Sequence, residues 1–418
     1  MFNVAHPAQS PTSRLLRFAF ISLALSAAVN GIVLWSFRVH ILEGYGDFTS
    51  FYTAGKIVAS GQSARLYDPK LEWQIQQQFA ANVKIRVGPL PYVRPPYEAL
   101  LFLPLSHLSY SGAWLVWLVF KVALLVGMPC VLPVPAASAR PRSRLTLKTL
   151  LCLGFFPVGF DLLQGQDSIF VLALIVGAFR LLVSGRDLLS GIILALALFK
   201  FHIIIPLFLI LVLRKRARFA FGFLATAVVL FLVSLHMVHW TGVLAYPKFL
   251  WLLNRIPAYG MATPDRMPNI RGLIALLVGN QPLTAAQQWF LLLIVMFGLV
   301  VAARFWRDHA DRHLSAAVSF SIVAILVTSY YSNCSDLTLL LVPLLLLVGP
   351  VLHSPPEDWR RTLFLAVCAV LLCTPLLWFL FLRVRQFSWM AFVLILFALS
   401  IWVIEEGHCA TDPPVAQQ

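Results

Sequence analysis

Residues 44–70 read GYGDFTSFYTAGKIVASGQSARLYDPK, a polar, small-residue and aromatic stretch that follows the first long apolar run. That run, residues 15–37, is long enough to cross ~30 Å of hydrocarbon as a helix. Asp47 falls just beyond the point where it would leave a bilayer. A mostly greasy chain that spends its scarce polar residues at such a place reads as an integral membrane protein with chemistry at the membrane edge. Arg14 and Arg17 hold the start of the run in the cytoplasm. The SAA within it resembles a secretory cleavage site, but the apolar run continues through IVLWSF, which suits an uncleaved span.

Composition supports the same class. The 418 residues are 60% hydrophobic and only 12% charged, with a mean hydropathy of +0.84. Soluble domains carry about 25% charged residues, so this chain has too few to cover a water-facing surface. The net charge of +15 lies in short Lys/Arg clusters between apolar runs. That distribution suits positive-inside topology signals and argues against a nucleic-acid groove. The six cysteines form no CxxC pair and read as inert buried thiols.

The expected fold is all-α, a polytopic transmembrane helical protein of about eleven to thirteen spans, one integral membrane domain over residues 1–418. Residues 38–97 form the first extracytoplasmic loop. Within it LEWQIQQQFA reads as a short amphipathic surface helix, and the prolines of VGPLPYVRPPYE break regular helix. A span near 110–134 ends at the basic loop Arg140, Arg142, Arg144 and Lys148. Runs 149–163 and 168–183, joined by LLQGQDS, and runs 188–199 and 202–213, joined at FKFHII, are short and read as hairpins with polar tips outside. The second pair ends in Arg214, Lys215, Arg216 and Arg218.

A span over 219–239 leads to a second outer loop running to Gly272. Further spans lie near 285–303, 314–331, 336–350, 361–381 and 387–404, and a disordered tail is expected over 405–418. The clusters at 140–148, 214–218 and 304–312 all fall on the cytoplasmic side of this scheme, with Asp47, Gln164, Gln166, Lys200, Arg271 and Asp336 near the opposite face. No internal repeat and no separable soluble domain stands out.

Ionisable groups at membrane depth are costly and mark functional candidates. Asp47, with Tyr45, Phe48, Phe51 and Tyr52 around it, reads either as a shielded general base or as the N-cap of the helix behind it. Arg94, Lys200, His202 and Arg271 form a cationic set able to hold a phosphate, or else snorkel to headgroups. Gln164 and Gln166 suit sugar hydroxyls, with Gly165 and Asp167 serving the turn. Asp336 follows the polar break SYYSNCS and is either an N-cap or a ligand. Asp68 in LYDP reads as structural. His236 and His239 share a helical side at i and i+3, with no third ligand spaced to complete a zinc site.

The order of GDFTSFYTAGKIVASGQSARLYDP, YVRPPYEALLFLPL, LLQGQDS, ALFKFHIIIPLFLILVLRKR and TSYYSNCSDLTLLLVPLLLL resembles the membrane glycosyltransferases of family 87, of the GT-C superfamily. Characterised members of that family include polyprenol-phosphate-mannose-dependent mannosyltransferases. The resemblance implies a polyprenyl-phosphate sugar donor, transfer on the extracytoplasmic or periplasmic face of the plasma (inner) membrane, and an acidic base at the position of Asp47. The chain departs from the family at Asp167 and Ser168, where Asn is frequent, at Tyr330 and Tyr331 in place of Pro-His, and at Ser335 in place of Tyr.

The resulting expectation is an inverting transferase. Asp47 is the base, Arg94, Lys200 and Arg271 hold phosphate, Gln164 and Gln166 orient the sugar, and His202, Tyr52 and Asp336 line the site. A lipid or glycan is the acceptor, and membrane lipids but no nucleic acid are partners. No cofactor or metal is expected, because the lipid-linked sugar phosphate is the substrate and phosphate leaves as a stable anion. The rival is a polyprenyl-linked-sugar flippase or transporter, which also needs intramembrane cations and broken helices. A non-catalytic envelope scaffold would leave the outer polar residues unexplained.

Overall fold

Helix is the only regular structure among the described residues, as a chain without water to satisfy its backbone requires. The computed structural model describes residues 11–84, 88–132, 141–213, 216–253, 264–279, 283–310, 313–352, 354–355, 357–384 and 386–411; for 11–16, 141–144, 251, 253 and 408–411 it describes the backbone alone. Arg140, Arg214, Lys215 and Arg312 of the expected basic clusters lie outside the described residues, and the side chains of Arg14, Arg142 and Arg144 lie outside them too.

The first apolar run forms α1 (Pro11–Ser36). The following loop folds as α2 (Phe48–Ala59) and α3 (Pro69–Gln76) before α4 (Tyr110–Val131). Next come α5 (Pro141–Gly154), α6 (Phe156–Gln164), α7 (Ser168–Val183), α8 (Asp187–Leu196) and α9 (Phe201–Val212). Then follow α10 (Ala217–Leu253), α11 (Ile270–Leu277), α12 (Ala285–His309) and α13 (Leu314–Thr328). A 3₁₀ turn over Cys334–Leu340 feeds α14 (Leu341–Leu352), and α15 (Trp359–Leu371), α16 (Thr374–Phe379) and α17 (Met390–Thr411) complete the chain.

Among the described residues six helices are long and apolar enough to cross a membrane, or up to nine if each of three bent pairs is one span; α7 and α13 are shorter apolar helices in addition. The most buried are α13 and the Cys334–Leu352 segment, which form the centre, while α1, α10 and α12 expose large apolar side chains as a lipid-facing ring.

Polar residues inside these helices answer local breaks. The α5–α6 pair bends by 57° at Phe155, which frees backbone carbonyls. Asn30 of α1 donates to the carbonyls of Leu153 (2.8 Å) and Phe155 (3.1 Å) and accepts from Trp378 Nε1 (2.8 Å). A buried amide here supplies the partners that the broken helix lacks.

The expected hairpin over α8 and α9 is a pair of helices bent by 66° at the break before Lys200. Arg216, which precedes α10, bonds Asp187 at 2.6 Å, so the start of α10 lies beside the start of α8. Gly191 and Gly222 let α8 and α10 touch there, since a Cβ on Gly191 would stand 2.1 Å from Phe219 O. Arg216 and Arg218 thus gather at the end of the bundle where α7 finishes. Arg304 and Arg307 close α12 beside the start of α13, also away from the turn Ser329–Asn333 that α13 runs into.

Two boundaries differ from expectation. The second outer loop begins later, because helix resumes after a break at His239 (φ 56) and runs to Leu253. That break lies inside the i, i+3 pair His236/His239, so one regular helical side does not carry both. At the C-terminus α17 continues through Thr411, beyond the start of the expected tail; 412–418 lie outside the described residues. The LEWQ helix also differs in what it buries. Glu72 and Gln76 point inward, where Gln76 bonds both Leu90 N and Leu90 O (2.9 Å each) and Glu72 accepts from Tyr92 N at 2.8 Å. The extended proline segment 88–95 can form no helix of its own, and these side chains satisfy its backbone.

Candidate active site

The site is built on the turn between α6 and α7. Gly165 closes α6 in the left-handed region (φ 70) and lies against α2, where a Cβ would sit 2.6 Å from Phe48 Cβ. Only glycine meets both conditions. Trp117 Nε1 of α4 donates to Gly165 O at 2.9 Å. From the same helix, Lys121 Nζ reaches Asp161 O and Oδ1 (3.0 Å each) and Gln166 O (3.1 Å). Asp161 Oδ2 in turn accepts from Ser168 N at 3.0 Å, satisfying the first turn of α7. A buried lysine therefore serves the carboxyl end of one helix and a buried aspartate the amino end of the next, as the end charges of helices favour.

On this platform runs a chain of alternating charge. Asp47 precedes α2 in helical geometry and makes no cap bond with its side chain. Its Oδ2 accepts from Gln166 Nε2 at 2.5 Å, across 119 residues of sequence. Gln166 Oε1 accepts from the Arg94 guanidinium at 3.3 Å, and Arg94 also pairs with Asp167 at 2.9 Å. Lys200 lies between Asp167 (2.8 Å) and Asp336 (2.5 Å) and donates to Ser168 Oγ. Asp336 Oδ2 further accepts from Asn333 N at 2.7 Å. The backbone beside Arg94 is tethered by Tyr67 Oη to Arg94 O (2.8 Å) and Tyr246 Oη to Val93 O (2.9 Å).

Glu98 is buried at the edge of this chain and accepts from Tyr92 Oη at 3.1 Å. Burial, and then the negative charge of Asp167, push its carboxyl well above the usual range, so it stands neutral beside Asp167. The charged groups of the network are then Asp167 and Asp336 against Arg94 and Lys200, with Asp47 joined to them through Gln166.

Arg271, in the first turn of α11, is only 6% exposed. It stacks over the Tyr330 ring at 4.1 Å and donates to Tyr330 O at 3.2 Å, while its Nε is buried without a hydrogen-bond partner. Asn269 caps α11 through Gly272 N (2.9 Å) and ties it to Ser329 O (2.8 Å). His202 meets the Tyr331 ring edge-on at 6.0 Å, with Nε2 buried and unpartnered. Together with Pro206, Val295, Leu299, Thr328 and Tyr330 it lines an apolar cavity of about 190 Å³ between α9, α12 and α13.

The sequence-derived candidates fall into groups. Asp47, Arg94, Gln166, Lys200 and Asp336 share one bonded network, and His202 and Arg271 flank it through Tyr331 and Tyr330. Gln164 is half-buried against α2, its carbonyl 3.0 Å from where a Gly46 Cβ would stand. Tyr52 is directed elsewhere, its hydroxyl bonding Leu108 O at 2.7 Å among the rings of Phe48, Phe79 and Tyr110. Asp47 stands at the N-cap position of α2, but its side chain makes no cap bond and reaches Gln166 instead. Lys200 is held by two carboxylates, which removes both the snorkelling reading and a free charge for phosphate. Sequence reasoning passed over Lys121, Asp161 and Glu98, and took Asp167 as a turn residue. Lone charges within WLVFKVALL and GFDLLQ were the available signal. Among the described residues no cluster of His, Cys, Asp and Glu is arranged to hold a metal ion.

A family model, Glycosyltransferase family 87, matches residues 92–332, more than half of the chain. It takes in Arg94, Gln166, Asp167, Lys200 and Arg271, and leaves Asp47 and Asp336 on either side. No curated protein and no solved structure matches.

Proposed function

The chain belongs to glycosyltransferase family 87 and is a multi-pass membrane glycosyltransferase; from that premise we propose that it moves a sugar from a polyprenyl-phosphate donor to a lipid or glycan acceptor, with inversion and with Asp47 as general base. In the transfer, the acceptor hydroxyl gives its proton to the Asp47 carboxylate and its oxygen attacks C1 of the sugar. The C1–O bond to phosphate breaks with its electron pair leaving on the phosphate oxygen. Polyprenyl phosphate departs as an anion, so the protein has to supply a base and a cation rather than a metal.

The observation that supports this reading is the meeting of Asp47 with a preorganised polar network, beside the buried Arg271 guanidinium, which pairs with no carboxylate among the described residues. Arg271 is suited to the donor phosphate, because a buried Nε–H without a partner is costly until an anion accepts it. Arg94 and Lys200 are occupied with Asp167 and Asp336, and their part is to fix the geometry. The cavity beside His202 and Tyr330 has the apolar walls that an isoprenoid next to such a phosphate requires.

Depth and side follow the same logic. Helices α7 and α13 have 16 and 15 residues, or about 24 and 22 Å at ~1.5 Å per residue, against ~30 Å of hydrocarbon. A site at their shared end lies a few ångströms below the headgroups, where a lipid phosphate sits. Arg216, Arg218, Arg304 and Arg307 lie at the other end, which favours the non-cytoplasmic face of the plasma membrane for the site.

The test is to incubate purified protein in liposomes with labelled polyprenyl-phosphate mannose and extracted membrane lipids. Release of polyprenyl phosphate with transfer of label to a second lipid or glycan is expected. Movement of the intact donor between leaflets without release would replace the transferase with a flippase.

A further inference from the structure

The geometry points to Gln166 as a positioning residue for the reaction, one that holds the Asp47 carboxylate and is itself held in one orientation by Arg94, in place of a contact to the sugar. The inference rests on the reading of Asp47 as the base and adds to it the device that aims the base.

An amide has a donating end and an accepting end, and the charges beside it decide which way each points. Here Arg94, which can only donate, lies 3.3 Å from one end and Asp47, which accepts, lies 2.5 Å from the other. Guanidinium and carboxylate therefore fix the carbonyl toward Arg94 and the N–H toward Asp47. The residue has little freedom to turn elsewhere. Its backbone N–H donates to Asp161 O at 3.1 Å, its carbonyl accepts from Lys121 at 3.1 Å, and it is 7% exposed. Arg94 is anchored in turn by Asp167 and by the two tyrosines that hold its backbone. Each end of the amide is thus engaged by a charged partner, which sets its orientation before any substrate arrives.

Two effects follow for a base held in this way. The carboxylate is locked in one plane, which matters because proton transfer needs the acceptor oxygen aligned within hydrogen-bond reach. A hydrogen bond to the charged form of a carboxyl also favours its ionisation, so loss of the Gln166 donation should show in the acid limb of the rate profile. The donation to a charged acceptor is of the stronger class, and its loss should move the ionisation by about one pH unit or more.

The experiment measures the pH dependence of kcat/KM and the KM for polyprenyl-phosphate mannose in wild-type protein, Gln166→Leu and Gln166→Glu, with Asp47→Asn as reference. The expected result is an acid limb shifted upward by about one unit in Gln166→Leu, with a lower kcat and little change in KM for the donor. In Gln166→Glu, which is nearly isosteric and serves if the leucine variant does not fold, a second carboxyl faces Asp47 and the limb shifts at least as far. An unmoved acid limb with a raised KM for the donor would make Gln166 a sugar ligand and overturn the inference, as would an unmoved limb with wild-type kcat. If Asp47→Asn retains full activity, the base assignment itself fails, which is separable from an inactive Asp47→Asn beside an unmoved Gln166 profile.

Discussion

Lys121 stands in the middle of WLVFKVALL and Asp161 in the middle of GFDLLQ, and each is the other's answer. A charge buried in an apolar helix is tolerated when its counter-charge and hydrogen bonds are complete, and here Lys121 reaches three oxygens. Such a pair adds little over a well-packed apolar pair, but removing one member strands the other. Lys121→Met is expected to cost about 3–5 kcal/mol, read as a large fall in unfolding temperature in detergent. Adding Asp161→Asn should recover part of that loss, since the amide oxygen still accepts from Ser168 N. A single variant as stable as wild type would contradict this account of the turn. At this scale the sequence marked which residues are unusual, because a lone charge among leucines is visible without a structure. It did not mark partners. Lys200 looked like a free cation because Asp167 and Asp336 lie 33 and 136 positions away along the chain, and nothing in local spacing joins them.

At the scale of elements, the first loop depends on carboxyl and amide side chains of α3 standing in for secondary structure. Glu72 is the informative one, since burial lifts its carboxyl to about 8. In an unfolded loop the same group titrates near ~4.3. The folded form therefore favours the neutral acid, and its stabilising share is complete below about pH 4. That share is lost as pH rises toward 8, because the unfolded chain ionises first, and it is flat above that. Glu72→Gln removes the titration while keeping an acceptor for Tyr92 N. The unfolding temperature of Glu72→Gln relative to wild type should climb between pH 5 and pH 8 and then level off. Parallel curves across that range would contradict the burial of an uncharged Glu72.

The pattern of apolar runs predicted the helices on either side of FKFHII, which meet at a bend of 66°. What the sequence marked less fully are the interruptions. The bend at Phe155 lies between Gly154 and Pro157, a local helix-stop and helix-start signal, but its partner Asn30 is on a distant helix; the break at His239 carries no glycine.

Across the whole molecule, a charged network gathers at one end of the bundle and basic residues at the other, and the proposed orientation in the membrane rests on that separation. Family membership was legible from the order of weak motifs spread along the chain, and a family model matches residues 92–332. The internal logic of the site was not legible, because it arises only where α2, the α6–α7 turn, the bend before Lys200 and the 3₁₀ turn at Asp336 converge. The account stands or falls on Asp47, and the direct measurement is the initial rate of sugar transfer from labelled polyprenyl-phosphate mannose by Asp47→Asn, folded and reconstituted in liposomes beside wild type. Loss of the general base predicts a rate lower by about 10²- to 10⁴-fold, with donor binding and unfolding temperature little changed. A variant that transfers sugar at the wild-type rate would contradict the mechanism.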